Sequence, residues 1–281
     1  MKFGVSSYVW VSPFSMQTID QLQKAHNFGF DVYEIGVEDP SSFSPELIYA
    51  EAQRIGIQVN ICGAFGQSRD ISSDNEVWRN EGCAYIRTLI DYAVITHSPY
   101  VAGPMYSATG KARLLSVSEK KKQMQYVITN IRELCEYAYK KNIKLAIEPL
   151  NRYETDCINT VEQGLELIEK VGADNLGFLL DVYHMNIEEK KISEAILMAK
   201  DKIFDFHACA NDRGIPGNDH LDWKGIAEAL RRIRYDGPVV IESFTTAITE
   251  IARAVSLWRP VASSQDELAC RGLAFLKETF K

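Results

Sequence analysis

A single (β/α)8 barrel is the fold that the sequence predicts, on three observations. Short β-rich runs alternate with longer helical patterns eight times from end to end, which implies parallel strands. The 281 residues lie near the roughly 250 typical of such a barrel. Neither a GxGxxG turn nor a GxxxxGK(S/T) loop occurs, so nothing marks an open nucleotide-binding sheet. No composition break or linker divides the chain, and residues 1–281 are read as one domain.

The first strand is expected at residues 3–9, with its helix at about 18–28. Residues 31–35 form the second strand. Its helix opens at Ser44-Pro45, an N-cap followed by a proline whose missing N–H is harmless at the first helical position. The third strand covers 57–61 and its helix 75–96. After a fourth strand at 100–102, residues 118–141 make a long amphipathic helix with Val127, Ile131, Leu134 and Ala138 on one face. Strands five to eight fall at 143–148, 176–181, 203–207 and 239–242. Helices near 161–171, 192–199 and 223–233 separate them, and a long helical tail runs to the C-terminus.

Composition narrows the function classes. Hydrophobic residues make up 46% and charged residues 25%, which is ordinary globular usage and excludes a disordered chain. A net charge of −7 argues against nucleic acid as the main partner, because phosphate neutralisation wants a basic face. No run approaches the roughly 20 apolar residues of a membrane span, and no secretion signal is read at the N-terminus. The six cysteines are scattered without a CxxC pair, so they are read as reduced thiols and the chain as cytoplasmic.

In this architecture chemistry sits where strands hand over to loops at the C-terminal face. Strands five to eight end in Glu148 (LAIEPLNR), Asp181 (GFLLDVYH), His207 (FDFHACAN) and Glu242 (VVIESF). Any one acid in such a place is ordinarily a helix N-cap or the partner of a surface cation. Four consecutive strands delivering three carboxylates and an imidazole to one rim are harder to explain so. Converging carboxylates repel and drive their pKa values upward, a cost that a divalent cation removes. Oxygen-rich ligation with one imidazole suits Mn²⁺, Mg²⁺ or Co²⁺.

The strings AIEPLNRYET, LLDVYHMN, FHACANDRGIPGNDHLDW and VVIESF resemble the ketose 3-epimerases of the D-tagatose and D-allulose (psicose) type. That family sits in the xylose-isomerase-like barrel group, and the resemblance runs through all eight units. It implies that Glu148, Asp181, His207 and Glu242 hold the metal, Mn²⁺ first, and that Glu148 and Glu242 are the acid/base pair. It assigns Glu154, His184 and Arg213 to the O1–O3 end of a free ketose substrate, and it implies a homodimer or homotetramer. The loops that commonly line the far end of the sugar with aromatics offer Phe14 and Tyr106 here.

The chemistry can be rebuilt without the resemblance. Inverting C3 beside a carbonyl removes a proton from one face and returns one to the other, through an enediolate whose charge must be stabilised. Two carboxylates serve as base and acid, and no nicotinamide or flavin is needed. The alternatives on this barrel are an aldose–ketose isomerase of the hydroxypyruvate-isomerase type, an apurinic endonuclease and a non-enzymatic sugar-binding barrel. A hydride-shift isomerase wants two metals, and the strand ends display one ligand set. The endonuclease wants a His-rich zinc centre, whereas only one of the five histidines ends a strand. Mere binding does not require both glutamates.

Overall fold

The computed structural model describes residues 1–281. Eight parallel strands close in sequence order: β1 (Lys2–Ser6), β2 (Val32–Val37), β3 (Gln58–Gly63), β4 (Tyr100–Gly103), β5 (Lys144–Ile147), β6 (Leu176–Asp181), β7 (Ile203–Ala208) and β8 (Pro238–Ile241). Closure is made by β1 against β8, with Val5 opposite Ile241. The outer ring comprises α1 (Gln21–Phe28), α2 (Pro45–Ile55), α3 (Glu76–Thr96), α4 (Val117–Tyr139), α5 (Val161–Val171), α6 (Val182–Glu188), α7 (Ile192–Ala199), α8 (Trp223–Arg232), α9 (Thr249–Ala254) and α10 (Gln265–Thr279).

The main core lies between strands and helices. Ile35, Ile61, Val101, Leu145, Phe178 and Phe206 face outward from the strands against helical side chains such as Ile86, Ile131 and Leu167. Burying one such side chain contributes about 1.5–3 kcal/mol. The barrel interior is different. Its apolar filling includes a separate small cluster of Cys62, Tyr100, Ala102, Ala146 and Leu179. Small residues there leave room for buried polar side chains from neighbouring strands, among them Glu34, Asn60 and Asp205.

Three departures from the sequence expectation have local causes. The first strand stops at Ser6 instead of continuing to residue 9, because the Ser6 hydroxyl accepts from the Tyr8 N–H and turns the chain into a short 3-10 segment, Ser7–Val9. An additional helix, α6, follows β6 without a connecting loop, because the Asp181 carboxylate accepts from the Tyr183 N–H and caps it. The C-terminal tail is two helices rather than one. Pro260 lies in the break, and the Ser264 hydroxyl restarts helical structure by accepting from the Glu267 N–H.

Candidate active site

Strand register brings the expected residues together. Asp181 sits opposite His207 across β6 and β7, and His207 sits opposite Val240 across β7 and β8. Glu148 and Glu242 are the first residues beyond β5 and β8. The result is a buried ring in which Glu148, Asp181, His207 and Glu242 each offer one ligand atom, all within 4.8 Å of one another. Glu148 and Glu242 also line a cavity of about 790 Å³ with Glu154, His184 and Arg213, which is within the usual size of a small-molecule site. A second cavity, about 620 Å³, opens at the opposite end of the barrel beside Lys2, Gln58, His26 and His97, and contains none of these residues.

One cationic side chain of the chain itself reaches the ring's carboxylates. Arg213 Nη1 contacts Asp181 Oδ2 and donates to Glu242 Oε2 at 3.0 Å, so one guanidinium spans two of the carboxylates. It is carried on a left-handed residue, φ 66°, in the loop after β7. Burial pushes Glu148 well above the ordinary carboxylate range, and the neighbouring Glu242 charge pushes it further. Burial also raises Asp181, against the opposing pull of Arg213. Glu242 goes the other way: His207 and Arg213 outweigh burial and hold it down at about 2. Burial lowers His207, but Glu34 and Glu242 on either side of the ring raise it further, leaving it well above its ordinary value.

Around the ring a polar scaffold fixes the other side chains. The backbone N–H of Asn151 donates to His184 Nδ1 at 3.1 Å, so the proton of the neutral imidazole lies on Nε2. Burial and the Arg213 charge keep that ring neutral by lowering its pKa well below the usual value. Asn151 Nδ2 also donates to Glu154 Oε1 at 2.7 Å. Arg152, two residues before Glu154, is engaged elsewhere, in a two-pronged pair with Glu188 at 2.9 Å on each arm. Asp181 serves twice: Oδ1 caps α6 while Oδ2 faces the ring.

Phe14 and Tyr106 do not line the cavity, contrary to expectation. Phe14 packs between Tyr33 and Phe43 on the outer side of the barrel. The Tyr106 hydroxyl donates to the Ile158 carbonyl and accepts from the Leu150 N–H, which holds it in the wall behind. The aromatic lining comes instead from Tyr8, Phe65, Tyr153, Tyr183 and Phe244. Tyr8 fits because Gly36 has no side chain, since a Cβ there would lie too close to Tyr8 Cζ to be accommodated. Cys62 reaches the same cavity.

The strand ends display one ligand set, but the structure contains a second acid–His group that sequence reasoning missed. Glu34, Asp205 and His207 also bring ligand atoms within 4.8 Å of one another. Glu34 and Asp205 sit in mid-strand, where a single acid reads like any alternating strand residue. Asn151 was missed too, because its role depends on the fold of its loop.

The ring suits a divalent cation. Three carboxylates and an imidazole form a hard, oxygen-rich donor set, and His207 Nδ1 is buried without any hydrogen-bond partner. Arg213, drawn onto two of the carboxylates, registers the same demand for positive charge. Its Nη2 lies 3.1 Å from His184 Nε2, a nitrogen that itself carries a proton, and its Nε has no partner.

A profile of the xylose isomerase-like TIM barrel family matches residues 22–278. A probable ketose 3-epimerase of Synechocystis sp. is 34% identical across the whole chain and 97% of that protein. Among solved structures, an L-ribulose 3-epimerase superposes with a TM-score of 0.94 at 26% identity, covering 99% of this chain and 94% of the other. A D-allulose 3-epimerase from Methylomonas sp., in complex with D-allulose, gives 0.93 at 26% identity, covering 99% and 97%. With a barrel, a cavity and a near full-length relative in agreement, the chain belongs to the ketose 3-epimerases of the xylose isomerase-like TIM barrel family, isomerase-class enzymes of carbohydrates.

Proposed function

We propose that the protein is a metal-dependent 3-epimerase of free ketoses of the D-tagatose, D-allulose/D-fructose or L-ribulose type. The observation that carries this reading is the pair of buried glutamates, Glu148 and Glu242, in one ring with Asp181 and His207 and open to the same cavity. The solved D-allulose complex of a relative supports a ketose as occupant.

Glu148, Asp181, His207 and Glu242 would hold a divalent cation, Mn²⁺ first with Mg²⁺ or Co²⁺ as alternatives, which when bound would supply Lewis acidity for negative charge developing on the substrate oxygens. One glutamate accepts the C3 proton and the other returns a proton to the opposite face, the two exchanging roles with the direction of reaction. His184 offers its Nε2–H, fixed by Asn151, to a substrate oxygen. Arg213 and Glu154 complete the grip on the O1–O3 end. Nothing in the reaction calls for a nucleotide cofactor. No helix is long and apolar enough to cross a membrane, and all six cysteines are unpaired, which supports a cytoplasmic setting. A homodimer or homotetramer is part of the same reading, from the family.

The test is a panel of free ketoses incubated with Mn²⁺ and resolved by chromatography. The C3 epimer should accumulate from at least one of them. Accumulation of an aldose instead would favour the isomerase alternative, and no conversion of any ketose would contradict both.

A further inference from the structure

We propose that Glu34 is a positioning residue: it holds the His207 ring so that Nδ1 faces the ring of carboxylates as a metal donor, and the Glu34–Asp205–His207 group is not a second ion site. The inference rests on the metal centre of the proposed function and adds a layer beneath it.

The imidazole stands between two sets of acids. Its Nε2 lies 2.7 Å from Glu34 Oε1 and 3.7 Å from Asp205 Oδ2. Its Nδ1 has no hydrogen-bond partner and lies 3.5 Å from Glu242 Oε2. A neutral imidazole carries one N–H and one lone pair. With a carboxylate acceptor at hydrogen-bond distance, the proton belongs on Nε2 and the lone pair on Nδ1. That places the donor atom on the side of Glu148, Asp181 and Glu242. Carboxylate–histidine–metal relays of this kind fix both tautomer and ring orientation.

Strand geometry makes the arrangement rigid. Glu34 lies within β2, paired to Ser6 on one side and Asn60 on the other. Asp205 is two residues before His207 on β7, on the same face and one layer deeper. Glu34, Asp205 and His207 are each 0% exposed. Glu34 Oε2 and Asp205 Oδ2 lack hydrogen-bond partners, which on its own would suit either a shared proton or an ion. The ring nitrogen decides between them. An ion taken by this lower group would claim Nε2, displace the Glu34 hydrogen bond and turn a proton on Nδ1 towards the upper carboxylates. One imidazole serves the upper set or the lower set.

The experiment is metal titration of the purified full chain, wild type and Glu34→Gln, with Mn²⁺ affinity and ions per chain as readouts. The visible absorption spectrum of the Co²⁺-loaded form reports on coordination directly. Wild type should take one ion. Glu34→Gln should still take one, bound about 10–100-fold more weakly and with an altered Co²⁺ spectrum, while the metal-free variant keeps the wild-type circular dichroism. Glu34→Asp should recover part of the affinity. Should the glutamine variant fail to fold, ¹⁵N-histidine NMR of wild type loaded with diamagnetic Zn²⁺ decides: His207 should carry its proton on Nε2. Two ions per chain, an unchanged affinity and spectrum in Glu34→Gln, or a proton on Nδ1 would overturn the proposal while leaving the epimerase reading intact. No metal uptake by wild type would overturn both.

Discussion

Glu148 and Glu242 share a ring but not an environment. Burial dominates at Glu148 and raises its pKa, whereas the neighbouring His207 and Arg213 outweigh burial at Glu242 and lower it. Glu148→Gln and Glu242→Gln keep each side chain's shape and remove its capacity to carry the proton. Each should lower kcat by about 10²–10⁴ in both directions of epimerisation, measured at saturating metal. Near-normal turnover in either would mean that the catalytic pair lies elsewhere. Gly36 makes a different kind of prediction. An alanine there collides with the Tyr8 ring, and overpacking of this sort costs about 1–3 kcal/mol. Because Tyr8 lines the cavity, Gly36→Ala should raise KM more than it lowers kcat, as steady-state kinetics on the best ketose will read.

At the scale of elements, the loop after β5 is tied to α6. The Arg152 guanidinium pairs in two-pronged fashion with Glu188, and the Arg152 backbone N–H donates to the same carboxylate at 2.8 Å. This clamp sets the loop that carries Asn151 and Glu154. Burial alone would raise Glu188, but its bonds to Arg152 outweigh it and lower the pKa. A lowered carboxylate contributes stability that is present above its unfolded pKa, about 4.3, and is lost as pH falls through the folded value. Arg152→Ala should therefore lower the melting temperature at neutral pH, and only slightly, because the arginine is largely exposed and its pair is screened by solvent. The gap from wild type in thermal melts should close as the pH drops below about 4. A gap that persists unchanged in acid would show that the pair is not its source.

The elements also show what the sequence made legible. Strands five to eight are readable, together with the four side chains at their ends, because each polar residue terminates an apolar run. Glu34 and Asp205 are not readable in that way. In DVYEIG and FDFHA an acid among alternating residues fits a solvated strand face as well as a barrel interior, and only closure of β1 on β8 turns that face inward. Phe14 failed for a related reason: an aromatic in a loop near the mouth can pack outward, and this one found Tyr33 and Phe43. Helix α6 was hidden because its cap is Asp181, which also faces the ring.

For the molecule as a whole, the proposed metal site would link folding to metal binding, because the ring's members come from four strands and meet only in the closed barrel. A ligand that binds the folded state alone stabilises it, by about 2.7 kcal/mol at a hundredfold excess over Kd. Mn²⁺ should raise the melting temperature, chelation should lower it and abolish turnover, and readdition of Mn²⁺ or Co²⁺ should restore both. Full activity in a demonstrably metal-free preparation would remove the basis for the ring's role. The most direct measurement concerns the C3 proton that the proposed mechanism exchanges with solvent through two glutamates. In deuterated water, with Mn²⁺ and a ketose that the panel identifies as substrate, the epimeric product should carry deuterium on C3 and on no other carbon. An epimer formed without solvent deuterium, or an aldose formed by internal hydride shift, would contradict the account.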